Sequence, residues 1–318
     1  MNELALPAPR DRSDARNDRI FRYFLVATVV FVLLALAGAA LSMLWGGRQA
    51  LQLSGLDFFF TADWNPVQDR YGALVPIYGT IVTAIIAMLI AVPVSYGIAL
   101  FLTEVAPRWL RTPVGTAIEL LAGIPSIIYG MWGLFVLVPV MTDYVTPWAN
   151  EHLGTLPLIG PLFQGPPIGI GMLTAGIVLA IMVIPFIAAT MREVFLTVPT
   201  RLKESAYALG STRWEVSWDI VLPYTRSAVI GGVFLGLGRA LGETMAVAFV
   251  IGNSTRFTAS LLEPSTTIAA LIANDFGEAT ETYRSALLLL GFVLFIVTFL
   301  VLAAARFMLA QLKRREGN

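Results

Sequence analysis

The chain has 318 residues, no cysteine, a single histidine and a formal net charge of zero; 57% of its residues are hydrophobic, only 13% are charged, and the mean hydropathy is +0.76. Soluble domains carry roughly 25% charged residues, so this composition is that of a polytopic membrane protein, with no disulfide framework and no cysteine- or histidine-based metal or redox centre. The balanced charge gives no bulk attraction to nucleic acid, and both halves are too apolar to leave room for a large soluble domain.

In chain order, residues 1–22 form a polar tail carrying Arg10, Arg12, Arg16, Arg19 and Arg22. A spanning helix needs about 20 mostly apolar residues. Stretches near 23–45, 74–102, 112–141, 171–191, 227–252 and 285–307 meet that length, giving an all-α fold of six spans with a tail at 313–318. The small residues of "AGAALS" (Ala37–Ser42) resemble a signal-peptidase site, but the apolar run before them exceeds the 7–15 residues of a signal core, so the first helix reads as uncleaved. Pro93, Gly123, Pro125 and Pro185 are potential breakers inside spans, and the Pro- and Gly-rich stretch 153–171 cannot be one continuous helix; it reads as an outer loop or re-entrant segment.

Lysine and arginine orient the bundle. Beside the arginines of the tail, Arg108 and Arg111, then Arg192, Arg201, Lys203 and Arg213, and finally Arg306, Lys313, Arg314 and Arg315 fall on one side. The other side has only Arg48, Arg70, Arg256 and Arg284. Both termini and the loop 192–226 are therefore expected in the cytoplasm of a bacterial cell, with the protein in the inner membrane. His152 falls in an outer segment and reads as solvated.

The most polar internal segment is "KESAYALGSTRWEVSWDIVLP", Lys203–Pro223. Gly210 can take positive φ and end one short helix, and Ser211 or Thr212 can cap the next, which gives helix, turn, helix. Taken alone, this is equally a connector lying on the bilayer surface with Trp214 and Trp218 as anchors. However, Glu204, Ala206, Gly210, Ile220, Leu222 and Pro223, with Ser205 where alanine is usual, resemble at fixed separation the coupling loop of ABC importer permeases. "LLAGIPSIIYGMWGLFVLVP" (Leu120–Pro139), "GLGRALGETMAVAFVIGN" (Gly236–Asn253) and the outer "DWNPV" (Asp63–Val67) narrow the likeness to the PstC-type permease of the phosphate-specific transport family. The resemblance extends from about residue 56 to 312.

That resemblance implies a type I importer permease (MetI-like) fold in which loop 197–223 docks a cytoplasmic ATPase. It also implies a PstA-type permease as partner in a heterodimer, a PstB-type ATPase dimer holding ATP and Mg, and a PstS-type phosphate-binding protein outside. The chain itself is then a non-enzyme with no cofactor, and it has no phosphate loop of the GxxxxGK[ST] kind.

Arg239 and Glu243 stand four residues apart in the fifth apolar stretch. Counted from Pro223 at 1.5 Å per residue, Arg239 lies ~20 Å into a hydrocarbon layer ~30 Å thick. Four residues is about one helical turn, so Glu243 is expected to share its face and pair with it. Buried charges at that depth either fix helix packing or line a pathway. A guanidinium fork suits phosphate oxygens, which makes Arg239 and Glu243 the candidate substrate pathway. Glu119, Ser95, Tyr96, Ser126 and Tyr129 are weaker pathway candidates. Another oxyanion cargo (sulfate, molybdate or phosphonate) keeps the same architecture. A secondary carrier would show inverted repeats and several deep carboxylates, where only Glu243 is deep here. A protein reporting phosphate status without carrying flux is a third reading.

Overall fold

The structure is a computed structural model that describes residues 12–315, with side chains over 16–311. Arg10 and the side chains of Arg12, Lys313, Arg314 and Arg315, whose charges contribute to the expected orientation, lie outside the described residues. The elements are α1 (Arg12–Gly46), α2 (Arg48–Ser54), α3 (Leu74–Val105), α4 (Arg108–Ala122), α5 (Ser126–His152) and α6 (Met172–Leu196). They continue as α7 (Thr200–Ala208), α8 (Arg213–Leu241), α9 (Met245–Ile251), α10 (Ile268–Asp275) and α11 (Glu281–Arg315). Among the described residues there is no β-strand, and 6 helices are long and apolar enough to cross a membrane: α1, α3, α5, α6, α8 and α11.

Helix α6 is the centre of the bundle, with 67% of its most apolar window buried, against 6% for α1 at the periphery. It packs along α3 because small residues let the backbones approach. Ala84, Ala87 and Ala91 are buried on α3, and a Cβ at Gly176 of α6 would come within 2.5 Å of Ile86. Ser95 Oγ donates to the Ile184 carbonyl at 3.0 Å, a bond between helices rather than to its own helix's preceding turn. Pro93 and Pro185 stay inside unbroken helices.

Two apolar stretches are interrupted, and the sequence boundaries change there. The stretch read as one span over 112–141 is two helices, α4 and α5, divided at Gly123–Pro125, and the crossing helix is displaced to Ser126–His152. Pro125 lacks an N–H and disfavours helical φ/ψ in the residue before it, which ends α4. Tyr129 Oη bridges this gap by donating to the Leu121 carbonyl at 2.9 Å. The stretch read as 227–252 likewise divides, into α8 and α9, at Gly242–Thr244. These interruptions lie side by side: a Cβ at Gly130 of α5 would sit 3.0 Å from Ala246 Cα of α9.

One end of the bundle, where α3 and α6 finish and α7 lies, gathers Arg108, Arg111, Arg192, Arg201, Lys203, Arg213 and Arg306; we call it the basic end. The opposite end is capped by irregular chain. There Trp64 of the "DWNPV" stretch is buried and meets Tyr71 and Tyr283 edge-on, at 5.2 and 6.1 Å between ring centroids. Tyr283 hydrogen-bonds Asp275 at the end of α10, tying α10 and α11 to this cluster. The Pro- and Gly-rich segment after α5 folds over the same end, with the Asn150 amide clamping Gly165 through both backbone groups at 2.9 and 3.0 Å. His152 stacks on Trp148 at the exposed end of α5.

Candidate functional site

The helix–turn–helix at the basic end is built by local chemistry. Helix α7 closes with a Schellman motif: Ser211 N–H donates to the Ala206 carbonyl at 3.1 Å and Gly210 N–H to the Tyr207 carbonyl at 3.0 Å. Gly210 takes φ of +91°, where a side chain is strained. Thr212 and Glu215 then form a reciprocal capping box that starts α8, with Thr212 N–H donating to Glu215 Oε2 at 2.7 Å and Glu215 N–H to Thr212 Oγ1 at 3.3 Å.

Of the motif residues, Ala206 is buried against the core, while Glu204 and Ser205 face out, the Ser205 hydroxyl donating to the Arg201 carbonyl at 2.8 Å. Leu209 is 89% exposed, and Leu202, Tyr207 and the stacked pair Trp214 and Trp218 are exposed as well.

No new helix begins after Pro223. Helix α8 runs unbroken for 29 residues from Arg213, so the turn and the fifth membrane crossing are one rod. A proline inside a helix removes one hydrogen bond and crowds the carbonyl four residues back. The wider π-helical turn over Val216–Val221 stands just before Pro223 and absorbs that misfit. Ile220 packs half-buried on the core from within this turn, and Leu222 and Pro223 follow it.

Arg239 stands near the far end of that rod. Its pairing with Glu243, expected from the four-residue spacing, does not form: α8 stops at Leu241, and Glu243 lies in the break instead of one turn further along the same face. The Glu243 carboxylate turns toward α9, where Oε1 accepts from Ala246 N–H at 3.3 Å. Among the described residues Arg239 makes no salt bridge; its guanidinium carbon lies 5.6 Å from the ring centroid of Phe186 on α6, in cation–π range. Arg239 is exposed. One and two turns toward the basic end, Leu235 and Gly231 line a groove of about 580 Å³ between α6, α8 and α11 that also touches Thr190 and Arg306. Gly232 and Gly236 are packing positions, since a Cβ there would meet Thr190 at 2.9 Å and Ile187 at 2.6 Å.

The weaker candidates resolve differently. Glu119 pairs with Arg192 at 2.9 Å, joining α4 to α6, and Gly115 leaves room for that guanidinium. Tyr129 and Ser95 bond backbone carbonyls, Tyr96 packs edge-on to Phe195, and Ser126 opens α5. Two contacts were not anticipated. Phe186 carried no sequence signal beyond its place in an apolar run. The ion pair of Lys203 with Glu104, 2.5 Å from Nζ to Oε1, joins α7 to the end of α3. Its one sequence trace is a lone acid closing the second apolar stretch.

Residues 91–315 match the family of binding-protein-dependent transport system inner membrane components. The phosphate transport system permease protein PstC of Xylella fastidiosa is 79% identical over 316 residues, covering 99% of this chain and 98% of that protein. PstC of Pasteurella multocida is 55% identical, with 94% and 93% covered. Among solved structures, a bacterial ABC transporter involved in the import of the acidic polysaccharide alginate superposes with a TM-score of 0.60 at 19% identity, over 94% of this chain and 98% of that one, a likeness of fold. The chain is a multi-pass membrane protein that belongs to the family of binding-protein-dependent transport system inner membrane components, in the branch of the PstC phosphate transport system permeases.

Proposed function

We propose that this chain is the permease subunit through which an ATP-driven importer passes inorganic phosphate, and that Arg239 is its anion ligand within the membrane. The observation that carries the reading is an exposed arginine near the far end of a helix long and apolar enough to cross the membrane, without a carboxylate partner among the described residues, on the helix that begins at the docking turn. Such a charge is costly in hydrocarbon and is retained where it faces water or a ligand. Its planar fork matches phosphate oxygens and stays protonated. Phe186 holds it in place without neutralising it, and Glu243, nearby but bonded to α9, weakens anion retention enough for release. The groove below Arg239 continues toward Arg306 and offers an exit.

The basic end faces the cytoplasm, following the lysine and arginine bias, with both termini on that side. There the face around Leu209 receives a PstB-type ATPase dimer, whose ATP and Mg drive the cycle. A PstA-type permease completes the pathway beside this chain, and a PstS-type protein delivers phosphate to the opposite end. Lipid surrounds the rest, and nucleic acid has no part. Because α8 is continuous from the turn to Arg239, a tilt imposed at the docking face moves the anion ligand directly.

The test is uptake of radiolabelled phosphate by proteoliposomes holding the purified complex, with and without ATP, for unmodified chain and Arg239→Ala. ATP-dependent uptake that is lost in Arg239→Ala, at unchanged subunit yield, supports the assignment. Uptake at the unmodified rate per complex removes Arg239 from the pathway. Competition by sulfate or molybdate as strong as by phosphate would change the cargo.

A further inference from the structure

The docking turn is joined to the bundle by its own chain at two places, through residues 197–199 from α6 and through α8. A third joint is ionic. Helix α7 has nine residues, and only Lys203 and Ala206, one turn apart on one face, are withdrawn from solvent. Ala206 rests on the core. Lys203 reaches Glu104 at 2.5 Å, with the two side chains 15% and 6% exposed.

Glu104 sits in the π-helical turn Phe101–Val105 that ends α3. Leu102 and Ala106 beside it are buried, Thr103 donates to its own helix's Ala99 carbonyl, and Arg111 Nε donates to the Ala106 carbonyl. Desolvating such a pair is expensive, and apolar residues of similar size would hold α7 to α3 at least as well. The direction and stiffness of an ionic contact are what apolar packing does not supply. From Glu104 the contact continues physically: α3 packs on α6, Ser95 bonds the Ile184 carbonyl, and Phe186, two residues on, faces Arg239.

We propose that Lys203 and Glu104 form a strut that makes α7 and α3 move as one body, so that force on the exposed face of α7 reaches α3 and α6 rather than bending the turn. This rests on reading the turn as the ATPase docking site. Lys203 and Glu104 are thereby positioning residues for transport, remote from the phosphate. Lys203→Met keeps the length of the aliphatic stem and Glu104→Gln keeps an acceptor for the Lys203 ammonium, so both variants retain the packing of this contact.

The experiment measures, on the complete purified complex in proteoliposomes, ATPase subunit yield, ATP hydrolysis and radiolabelled phosphate moved per ATP. Lys203→Met and Glu104→Gln should keep full ATPase capture and hydrolyse ATP within about twofold of the unmodified complex, yet move about tenfold less phosphate per ATP. Lys203→Arg, which keeps the charge, should restore most of the ratio. An unchanged ratio in Lys203→Met overturns the strut, as does loss of ATPase subunit in proportion to lost uptake, or a Lys203→Arg as uncoupled as Lys203→Met. Failure of the docking reading is distinguishable: Leu209→Glu, on the exposed face, would then leave ATPase capture intact, and the strut would fall with it.

Discussion

Lys203 and Glu104 are separated by 99 positions and meet at 2.5 Å, whereas Arg239 and Glu243 stand four positions apart and form no salt bridge. The first pair is enclosed at the basic end, where two helix ends converge and each charge is the other's means of leaving water. The second is split by the break at Gly242–Thr244, which sends the acid to α9 and leaves the base on α8. The same chemical types thus yield a closed contact in one place and an arginine without a salt bridge in the other. At the second pair the difference lies in the backbone break between the two residues, and it fits the roles proposed above: a joint is satisfied within the chain, and an anion ligand is left for the cargo.

The most damaging way to break the contrast is to delete the open charge. Arg239→Ala should lower phosphate uptake per assembled complex by about a hundredfold, in line with loss of one anion-stabilising donor. Complex yield should stay normal, since Arg239 is exposed and without a carboxylate partner among the described residues. Uptake and affinity-purified yield measured together check both parts.

Closing the open site with a new acid should do nearly as much. Leu235 is 60% exposed and lies one turn before Arg239 on the unbroken part of α8, so Leu235→Glu supplies the partner that Glu243 does not. We expect uptake to fall by about tenfold or more as the new carboxylate competes with phosphate, with Leu235→Gln close to unmodified. Equal uptake in the two variants would mean that Arg239 does not meet the anion.

Smaller effects sharpen the comparison. Gly210→Val places a β-branched residue at φ of +91° and should cost about 1–2 kcal/mol locally, seen as weaker ATPase capture with the membrane helices inserted. Glu243→Gln removes a charge but keeps an acceptor for Ala246 N–H. With no direct pair to break, assembly should survive, and uptake should fall by roughly threefold through slower release, a shift of well under 1 kcal/mol. A drop in KM beside the drop in rate identifies release as the slowed step. Least of all, Glu119→Gln removes a half-exposed partner of Arg192, which retains Glu193 at 3.2 Å, and should change stability by less than about 1 kcal/mol and leave uptake unaltered.

Much of the architecture is legible in the residues. The number of crossing helices, the helix–turn–helix at the basic end with its glycine and threonine caps, and the segregation of basic residues follow from apolar run length, cap chemistry and charge placement, all local or additive quantities. The helix interruptions are legible only in part. Gly123–Pro125 carries a proline that ends α4, but Pro93 and Pro185 are the same residue type and leave their helices whole, because neighbouring helices hold the backbone around them. At Gly242–Thr244 there is no proline at all.

What the sequence determined alone was therefore the class of protein, the number of its membrane crossings and the chemical kinds of group within them, since burying about 20 apolar residues and satisfying helix ends depend on composition and near neighbours. Tertiary structure decided which charges are spent on each other. Whether α8 runs on from Pro223, where it stops, and whether Lys203 finds Glu104 depend on how α3, α6, α5 and α9 pack. A contact across 99 positions, or the loss of one across four, is fixed by that packing and not by spacing along the chain.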